Sequence, residues 1–149
     1  MEANQVAEIT VSYKPAVSRM PLVTRSQDAY NELRDFFPDE LIHLQEQFVV
    51  MYLNRANRII GIYRHSVGGI TGTVADPRLI LGTALKVAAT AIILAHNHPS
   101  GNLRPSRADE LMTAKIKEAC KCMDINLSDH IILSSIDGQY FSFADEGLI

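Results

Sequence analysis

The chain has 149 residues, of which 47% are hydrophobic and 21% are charged, and its formal net charge is −3 at pH 7. This length allows one domain over residues 1–149 with a core large enough to fold without disulfides. The acidic balance argues against a general nucleic-acid coat, which would show a basic excess. No apolar stretch is long enough to span a bilayer and no signal peptide is evident, so we expect a cytoplasmic protein.

The first half of the chain predicts a strand, two helices and a β-hairpin. Alternating residues from Val6 to Lys14 predict the strand. Ser26 is predicted to be the N-cap of a helix that extends to Phe37. The next elements are a short helix over 39–44 and strands over 47–53 and 58–65 that form the hairpin. The glycine-rich residues 67–73 predict a turn, and they lack the lysine of a phosphate-binding loop.

The second half predicts two helices that alternate with strands. Asp76 followed by Pro77 is typical of a helix start, and Ser106 begins a longer helix. The elements in chain order are a helix over 76–89, a buried strand over 90–95, a helix over 106–123, and strands over 127–134 and 140–143. Cys120 and Cys122 are expected to be core or boundary residues rather than ligands. The complete order predicts an α/β fold with a mixed sheet covered by helices.

The sequence HNHPSGNLRPSRAD, from His96 to Asp109, carries the clearest chemical pattern. Side chains at i and i+2 of an extended segment point the same way, so His96 and His98 can face one ion. Pro99 favours extended backbone before it, and a short loop returns Asp109 beside the histidines in the first turn of a helix. Two imidazoles and a carboxylate are three zinc ligands that leave a fourth position open for water, as catalytic sites require. The pattern predicts a hydrolase with one zinc ion per chain.

Each member of this pattern also has a purely structural explanation. Ser106 and Asp109 match a capping box, which needs no metal. A single histidine is more often exposed or hydrogen-bonded than bound to an ion. Capping does not explain two histidines on one strand face, so the combination favours the metal site. Capping and catalysis can coexist at Ser106.

A hydrolase also needs a general base, because the histidines and the aspartate are used as ligands. Glu46 is the best candidate, since it stands before an apolar strand and therefore at a sheet end; Glu40 and Glu110 are weaker ones. A solvent-facing strand-entry residue explains Glu46 equally well, and the residues alone leave both alternatives open. His130 is either a structural histidine at a strand start or a group beside the site.

A glutamate upstream of H-x-H-P-x6-S-x2-D resembles the signature of the JAMM (JAB/MPN) metallopeptidases. A more particular resemblance, from about residue 45 to the end, is to the bacterial RadC family and its short RadC-like members in Bacteroides-type bacteria. Residues 1–44 then form an N-terminal strand and helix extension, without the helix-hairpin-helix segment of full-length RadC proteins. The matching segments are Glu46-Gln47-Phe48, Tyr52-Leu53-Asn54, 96–101, Pro105-Ser106 with Asp109, Asp129-His130-Ile131-Ile132 and Ser142-Phe143-Ala144.

The resemblance implies a three-layer α/β/α arrangement, the JAB/MPN fold that is shared with cytidine deaminases. It makes His96, His98 and Asp109 zinc ligands. It makes Glu46 the general base and Ser106 the group that stabilises the tetrahedral intermediate. The implied activity is hydrolysis of a peptide or isopeptide bond in an unidentified peptide or protein. A deaminase would instead need H-x-E and a C-x-x-C, which the sequence lacks.

A second interpretation is non-catalytic. RadC proteins carry a DNA-repair label, so the chain could be a binding module associated with DNA repair or mobile elements that retains a zinc site. Since the net charge is −3 and the arginines are scattered, we expect direct DNA binding to be weak and steeply salt-dependent. The sequence leaves the oligomeric state open, with a homodimer as one alternative.

Overall fold

One mixed β-sheet organises the chain. The computed structural model describes residues 6–15, 19–68 and 74–149. Its elements are α1 (Ser26–Arg34), α2 (Asp39–Ile42), β1 (Gln47–Leu53), β2 (Ile59–Val67), α3 (Pro77–Lys86), β3 (Ala91–His98), α4 (Arg107–Cys122), β4 (Asn126–Ser134) and β5 (Tyr140–Ser142). The five strands lie in the order β2-β1-β3-β4-β5. The predicted α/β class with a mixed sheet is confirmed.

The central strand of the sheet is β3. It pairs antiparallel with β1 on one side and parallel with β4 on the other. Parallel neighbours need a crossover connection, and α4 supplies it here. The remaining pairs, β1 with β2 and β4 with β5, are antiparallel. The carboxyl end of β3 is therefore enclosed by strands on both sides and by the start of α4.

Helices cover both faces of the sheet, because alternate residues of β1 and β3 are apolar on either side. Val49 and its neighbours on one face pack with Leu33 of α1 in one core cluster. Phe48 and its neighbours on the other face pack with Ile80 of α3 and Ile116 of α4 in a second cluster. The result is three layers of helix, sheet and helix. Both cysteines are free, with Cys120 buried and Cys122 exposed.

The strand predicted from Val6 to Lys14 is wrong. Residues 6–15 are irregular in the structure and largely exposed, with Ile9 at 89%. Alternating residues form a strand only where a partner strand accepts their backbone hydrogen bonds. The segment instead reaches the sheet through a side chain, as the Tyr13 hydroxyl donates to the Ile60 carbonyl over 3.3 Å.

The predicted start of α1 is also wrong, because Arg25 rather than Ser26 is the N-cap. The Asp28 carboxylate, in the first turn, accepts hydrogen bonds from the backbone amides of Thr24 (2.9 Å) and Arg25 (3.2 Å). An acid at the third helical position commonly accepts from the N-cap amide, as Asp28 does here from Arg25. The Ser26 hydroxyl instead donates to Asp145 over 2.5 Å.

The other predicted elements form with shifted ends. The first helix ends at Arg34 rather than residue 37, the second at Ile42 rather than 44, and α3 at Lys86 rather than 89. Much of the predicted turn over 67–73 lies outside the described residues. Among the residues that the structure does describe, no helix has the length and apolar character of a membrane span.

Candidate metal site

The strand β3 delivers both histidines to one place. It continues through His98, past the predicted end at residue 95. It stays extended because parallel β4 pairs with its last residues, with Ile132 opposite His96 and Ser134 opposite His98. The two imidazoles consequently share one sheet face, as the spacing predicts. This is the face of the second cluster, where the His96 ring stacks with that of Phe48 at 6.2 Å.

The helix α4 delivers Asp109 through its own N-terminal cap. The Ser106 hydroxyl accepts from the Asp109 amide (3.0 Å), and the Asp109 carboxylate accepts from the Ser106 amide (2.8 Å). The same carboxylate reaches the sheet, with Oδ1 at 3.3 Å from Nε2 of His96 and Oδ2 at 3.2 Å from Nε2 of His98. The capping box therefore aims Asp109 at the histidines. Ser106 and Asp109 therefore form a helix cap and, in the same conformation, direct the Asp109 carboxylate to the candidate metal site.

The three side chains are spaced as ligands of a single ion. Their ligating atoms all lie within 4.8 Å of one another, and the two Nε2 atoms of His96 and His98 are 3.0 Å apart. Two atoms bound at about 2.0–2.1 Å to a tetrahedral zinc lie about 3.3 Å apart, close to these separations. His96 is fully buried, and the side chains of His98 and Asp109 are only 15% and 10% exposed. The residues present could hold a metal ion, and imidazole with carboxylate is a donor set that suits zinc.

The outer nitrogen of His98 is fixed by the loop that follows β3. Nδ1 of His98 lies 2.5 Å from the Asn102 carbonyl, which can only accept a hydrogen bond. Nδ1 therefore carries a proton, and Nε2 is the nitrogen of His98 that can bind a metal ion. Gly101 allows this tight return of the chain, with φ +81° and its amide bonded to the His98 carbonyl at 2.9 Å.

His130 fixes the outer nitrogen of His96 through a chain of hydrogen bonds. Nδ1 of His96 lies 2.7 Å from Nε2 of His130, and Nδ1 of His130 lies 2.6 Å from the Thr113 hydroxyl. That hydroxyl donates to the Asp109 carbonyl over 2.6 Å, so it accepts from His130. His130 must then accept from His96, so Nε2 is the nitrogen of His96 that can bind a metal ion. The sequence left His130 open as a structural histidine or as a group beside the site, and the structure places it beside the site.

Burial and charge set the protonation of these groups. Complete burial lowers the pKa of His130 well below its usual value, and the neighbouring His96 lowers it further. Burial has the largest single effect on His98 and lowers its pKa, but the hydrogen bonds with Asp109 and the Asn102 carbonyl and the charges of Asp109 and Glu46 together raise the pKa above its usual value. Burial also opposes the charge on Asp109, yet hydrogen bonds from His96 and His98 hold the pKa of that carboxyl far below its usual range. The centre of the site therefore keeps an ionised carboxylate.

Glu46, the residue just before β1, reaches the same site. Its Oε1 lies 4.0 Å from Nε2 of His96, and its side chain is 18% exposed. The register of β1 against β3 ends with Phe48 opposite His96, and Glu46 stands two residues before Phe48. Burial raises the pKa of Glu46, and the neighbouring His96 and His98 lower it only in part. A carboxylate with a raised pKa is suited to proton transfer near neutral pH.

The two weaker candidates for a general base lie elsewhere. Glu40 is exposed on α2, whose Ile42 packs on the opposite sheet face. Glu110 is exposed on α4 and pairs with Arg107 at 3.7 Å. Ser106, at the exposed edge of the site, accepts from the Asp109 amide, which leaves its hydroxyl hydrogen free to donate.

Sequence reasoning missed two residues that hold the site together. Thr113 stands four positions after Asp109 on the same face of α4, a helical spacing that gave a usable signal. Asn97 is a buried polar residue at the end of an apolar strand. A polar side chain in such a position needs hydrogen-bond partners, and that requirement was the available signal.

Fold and site together define an α/β domain with a candidate metal centre of two histidines and an aspartate at the end of its central strand. The chain matches the RadC-like JAB domain family over residues 23–148, and it belongs to this family. The match includes α1 and α2, which precede the stretch from residue 45 that carries the resemblance in sequence.

Curated relatives that are described as UPF0758 proteins support this assignment. The protein from Flavobacterium johnsoniae is 41% identical over 132 residues, which cover 89% of this chain and 56% of the relative. The protein from Porphyromonas gingivalis is 44% identical over 131 residues, which cover 88% of this chain and 56% of the relative. A relative from Aquifex aeolicus is 33% identical over 149 residues, or 62% of its own length. The chain thus spans less than two thirds of the length of these relatives.

Proposed function

We propose that this chain is a zinc-dependent hydrolase of the JAMM type that cleaves a peptide or isopeptide bond. The observation that carries the proposal is the convergence of four side chains at the end of β3. Three of them, His96, His98 and Asp109, have the separations of ligands on one tetrahedral ion. The fourth, Glu46, lies 4.0 Å from a ligand nitrogen and is not needed as a ligand. A spare carboxylate beside a three-ligand site is the arrangement that metal-assisted hydrolysis requires.

Each residue has a task that follows from its contacts. Bound zinc would supply Lewis acidity, polarising the substrate carbonyl and lowering the pKa of a water to about 7. Glu46 takes the proton of the attacking water and later delivers it to the leaving amine. Its raised pKa, caused by burial, suits both transfers. The free hydroxyl hydrogen of Ser106 donates to the developing oxyanion at the exposed edge of the site.

Metal analysis and one substitution test this proposal. The purified chain should hold about one zinc ion, and His96→Ala/His98→Ala should lose it. Cleavage from a panel of peptide and isopeptide substrates should disappear in Glu46→Gln, which keeps the three ligands. Glu40→Gln is the matched control, because Glu40 is an exposed glutamate of α2, away from the site.

Three outcomes contradict the proposal. Zinc content that survives the double histidine substitution would place the metal elsewhere. Cleavage that Glu46→Gln retains in full would assign the proton transfer to another group. Zinc binding without Glu46-dependent cleavage of any substrate would instead favour a non-catalytic binding module.

A further inference from the structure

Asn97 stands between the two histidines, but its side chain lies on the opposite face of the sheet and is fully buried. The side chain makes three hydrogen bonds, all to backbone groups between Ile42 at the end of α2 and Gln47 at the start of β1. Nδ2 donates to the carbonyls of Ile42 (3.0 Å) and Gln45 (2.9 Å), and Oδ1 accepts from the Gln47 amide (2.7 Å). Both amide hydrogens of the side chain are thus used, which fixes its orientation.

Two of these bonds hold the peptide groups on either side of Glu46. The Gln45 carbonyl belongs to the peptide before the Glu46 Cα, and the Gln47 amide belongs to the peptide after it. The Glu46 carbonyl is bonded in addition to the Gly68 amide at 2.7 Å. A peptide group is planar, so two fixed peptides set the φ and ψ angles between them. The direction of the Cα–Cβ bond of Glu46 follows from these two angles.

The side chain of Asn97 replaces strand pairing at this point. The register of β1 against β3 ends with Phe48 opposite His96. Beyond that pair, the Gln47 amide bonds to the Asn97 side chain and not to the backbone of β3. The segment that carries Glu46 is therefore tied to the ligand-bearing strand by one carboxamide.

We propose that Asn97 is the positioning residue of Glu46. This inference rests on the proposed function, in which Glu46 transfers the proton. The two histidines do not depend on the Asn97 side chain, because β4 pairs with their backbone and His130 and Asn102 hold their outer nitrogens. Loss of the carboxamide therefore displaces the base and leaves the ligands in place. A misplacement of about 1 Å in a catalytic group can reduce turnover about 10²-fold.

Two substitutions in the full zinc-loaded chain separate positioning from general stability. Asn97→Leu removes all three hydrogen bonds and keeps the number and branching of the side-chain heavy atoms. Asn97→Asp keeps the acceptor but places a carboxylate against two carbonyls. Both should retain zinc and KM, while kcat falls about 10²-fold. Ile42→Val is the control, because it removes a buried methylene from the same connection without removing a hydrogen bond. The double variant Glu46→Gln/Asn97→Leu should be no slower than Glu46→Gln, because both changes act on one group.

Amide hydrogen exchange, followed by NMR, gives a second measurement that needs no substrate. The Gln47 amide should lose protection in Asn97→Leu, while the amides of β3 keep theirs. Unchanged protection of Gln47, full kcat in the variants, or a parallel loss of zinc would overturn the inference. If Asn97→Leu does not fold, Asn97→Ser carries the same comparison, because its side chain is too short to span both carbonyls. If no substrate is cleaved, the proposed function fails, and the exchange measurement still decides the role of Asn97.

Discussion

Thr113→Val should weaken zinc binding, although the Thr113 side chain offers no atom to the ion. The hydroxyl donates to the Asp109 backbone carbonyl and accepts from Nδ1 of His130, both over 2.6 Å, in a residue that is only 2% exposed. Valine has nearly the same shape, so the hydroxyl group is the main loss. His130 then either keeps a buried Nδ1–H without a partner or carries its proton on Nε2, which faces His96.

Both responses of His130 act on the same zinc ligand. A buried donor without a partner costs about 1–3 kcal/mol. A proton on Nε2 of His130 would make that atom a donor towards Nδ1 of His96, and the His96 proton would move to the nitrogen that binds zinc. Loss of an outer hydrogen-bond partner of a metal-binding histidine typically weakens metal binding about 10- to 100-fold. We expect the dissociation constant for zinc to rise by that factor.

Competition with a chromophoric chelator measures this dissociation constant. Thr113→Ser keeps the hydroxyl and should bind zinc as the wild type does. Thr83→Val is the matched control, because the Thr83 hydroxyl makes the same helical hydrogen bond, to the Leu79 carbonyl of α3 at 2.8 Å. Unchanged zinc affinity in Thr113→Val, or equal losses in Thr113→Val and Thr83→Val, would refute the proton arrangement inferred for His96 and His130.

Two further predictions concern Ser106 and His98. Ser106→Ala should cost about 1 kcal/mol of stability because a helix cap is lost, and it should lower turnover about 10²-fold because the oxyanion donor is lost. Ser106→Asp should restore the stability but not the turnover. If Ser106→Asp is active at equal zinc loading, capping is the only role of Ser106. In the metal-free protein, the pKa of His98 is higher in the folded than in the unfolded state, so its protonation stabilises the fold. This contribution to the free energy of unfolding is fully present below the unfolded pKa of about 6.5, and it is lost as the pH rises through the folded pKa. The difference in unfolding free energy between wild type and Asp109→Asn should therefore shrink as the pH rises above about 6.5 and through the raised pKa of His98, and a constant difference would contradict this.

The three candidate ligands could be predicted from the sequence because their geometry is local. Two histidines on one strand and an aspartate in the first turn of the next helix are brought together by one short loop. Glu46 is different, since its position depends on the pairing of β1 with β3, far apart in the chain. Local spacing contains no such information, and the residues alone left Glu46 balanced between solvent and site. The family resemblance supplied the role that the spacing could not.

The errors at the N-terminal end have the same origin. The alternation after Val6 is compatible with a strand, but a strand also needs a neighbour, and the sequence does not show whether one is present. At the start of α1, Ser26 and Asp28 both offer oxygen atoms to free amides, and local preference did not distinguish them. His130 needed the tertiary structure, because its partners come from β3 and α4.

The pleat of β3 makes the segment from His96 to His98 intolerant of changes in chain length. Consecutive residues lie on opposite faces, so one inserted residue upstream within the strand would send both imidazoles to the α1 face and the carboxamide to the α4 face. The part of the loop between Asn102 and Pro105 has no such constraint, because α4 is anchored independently by Ile116 in the core. Evolution and protein engineering can therefore lengthen this loop to add recognition surface beside the site while the strand retains its length.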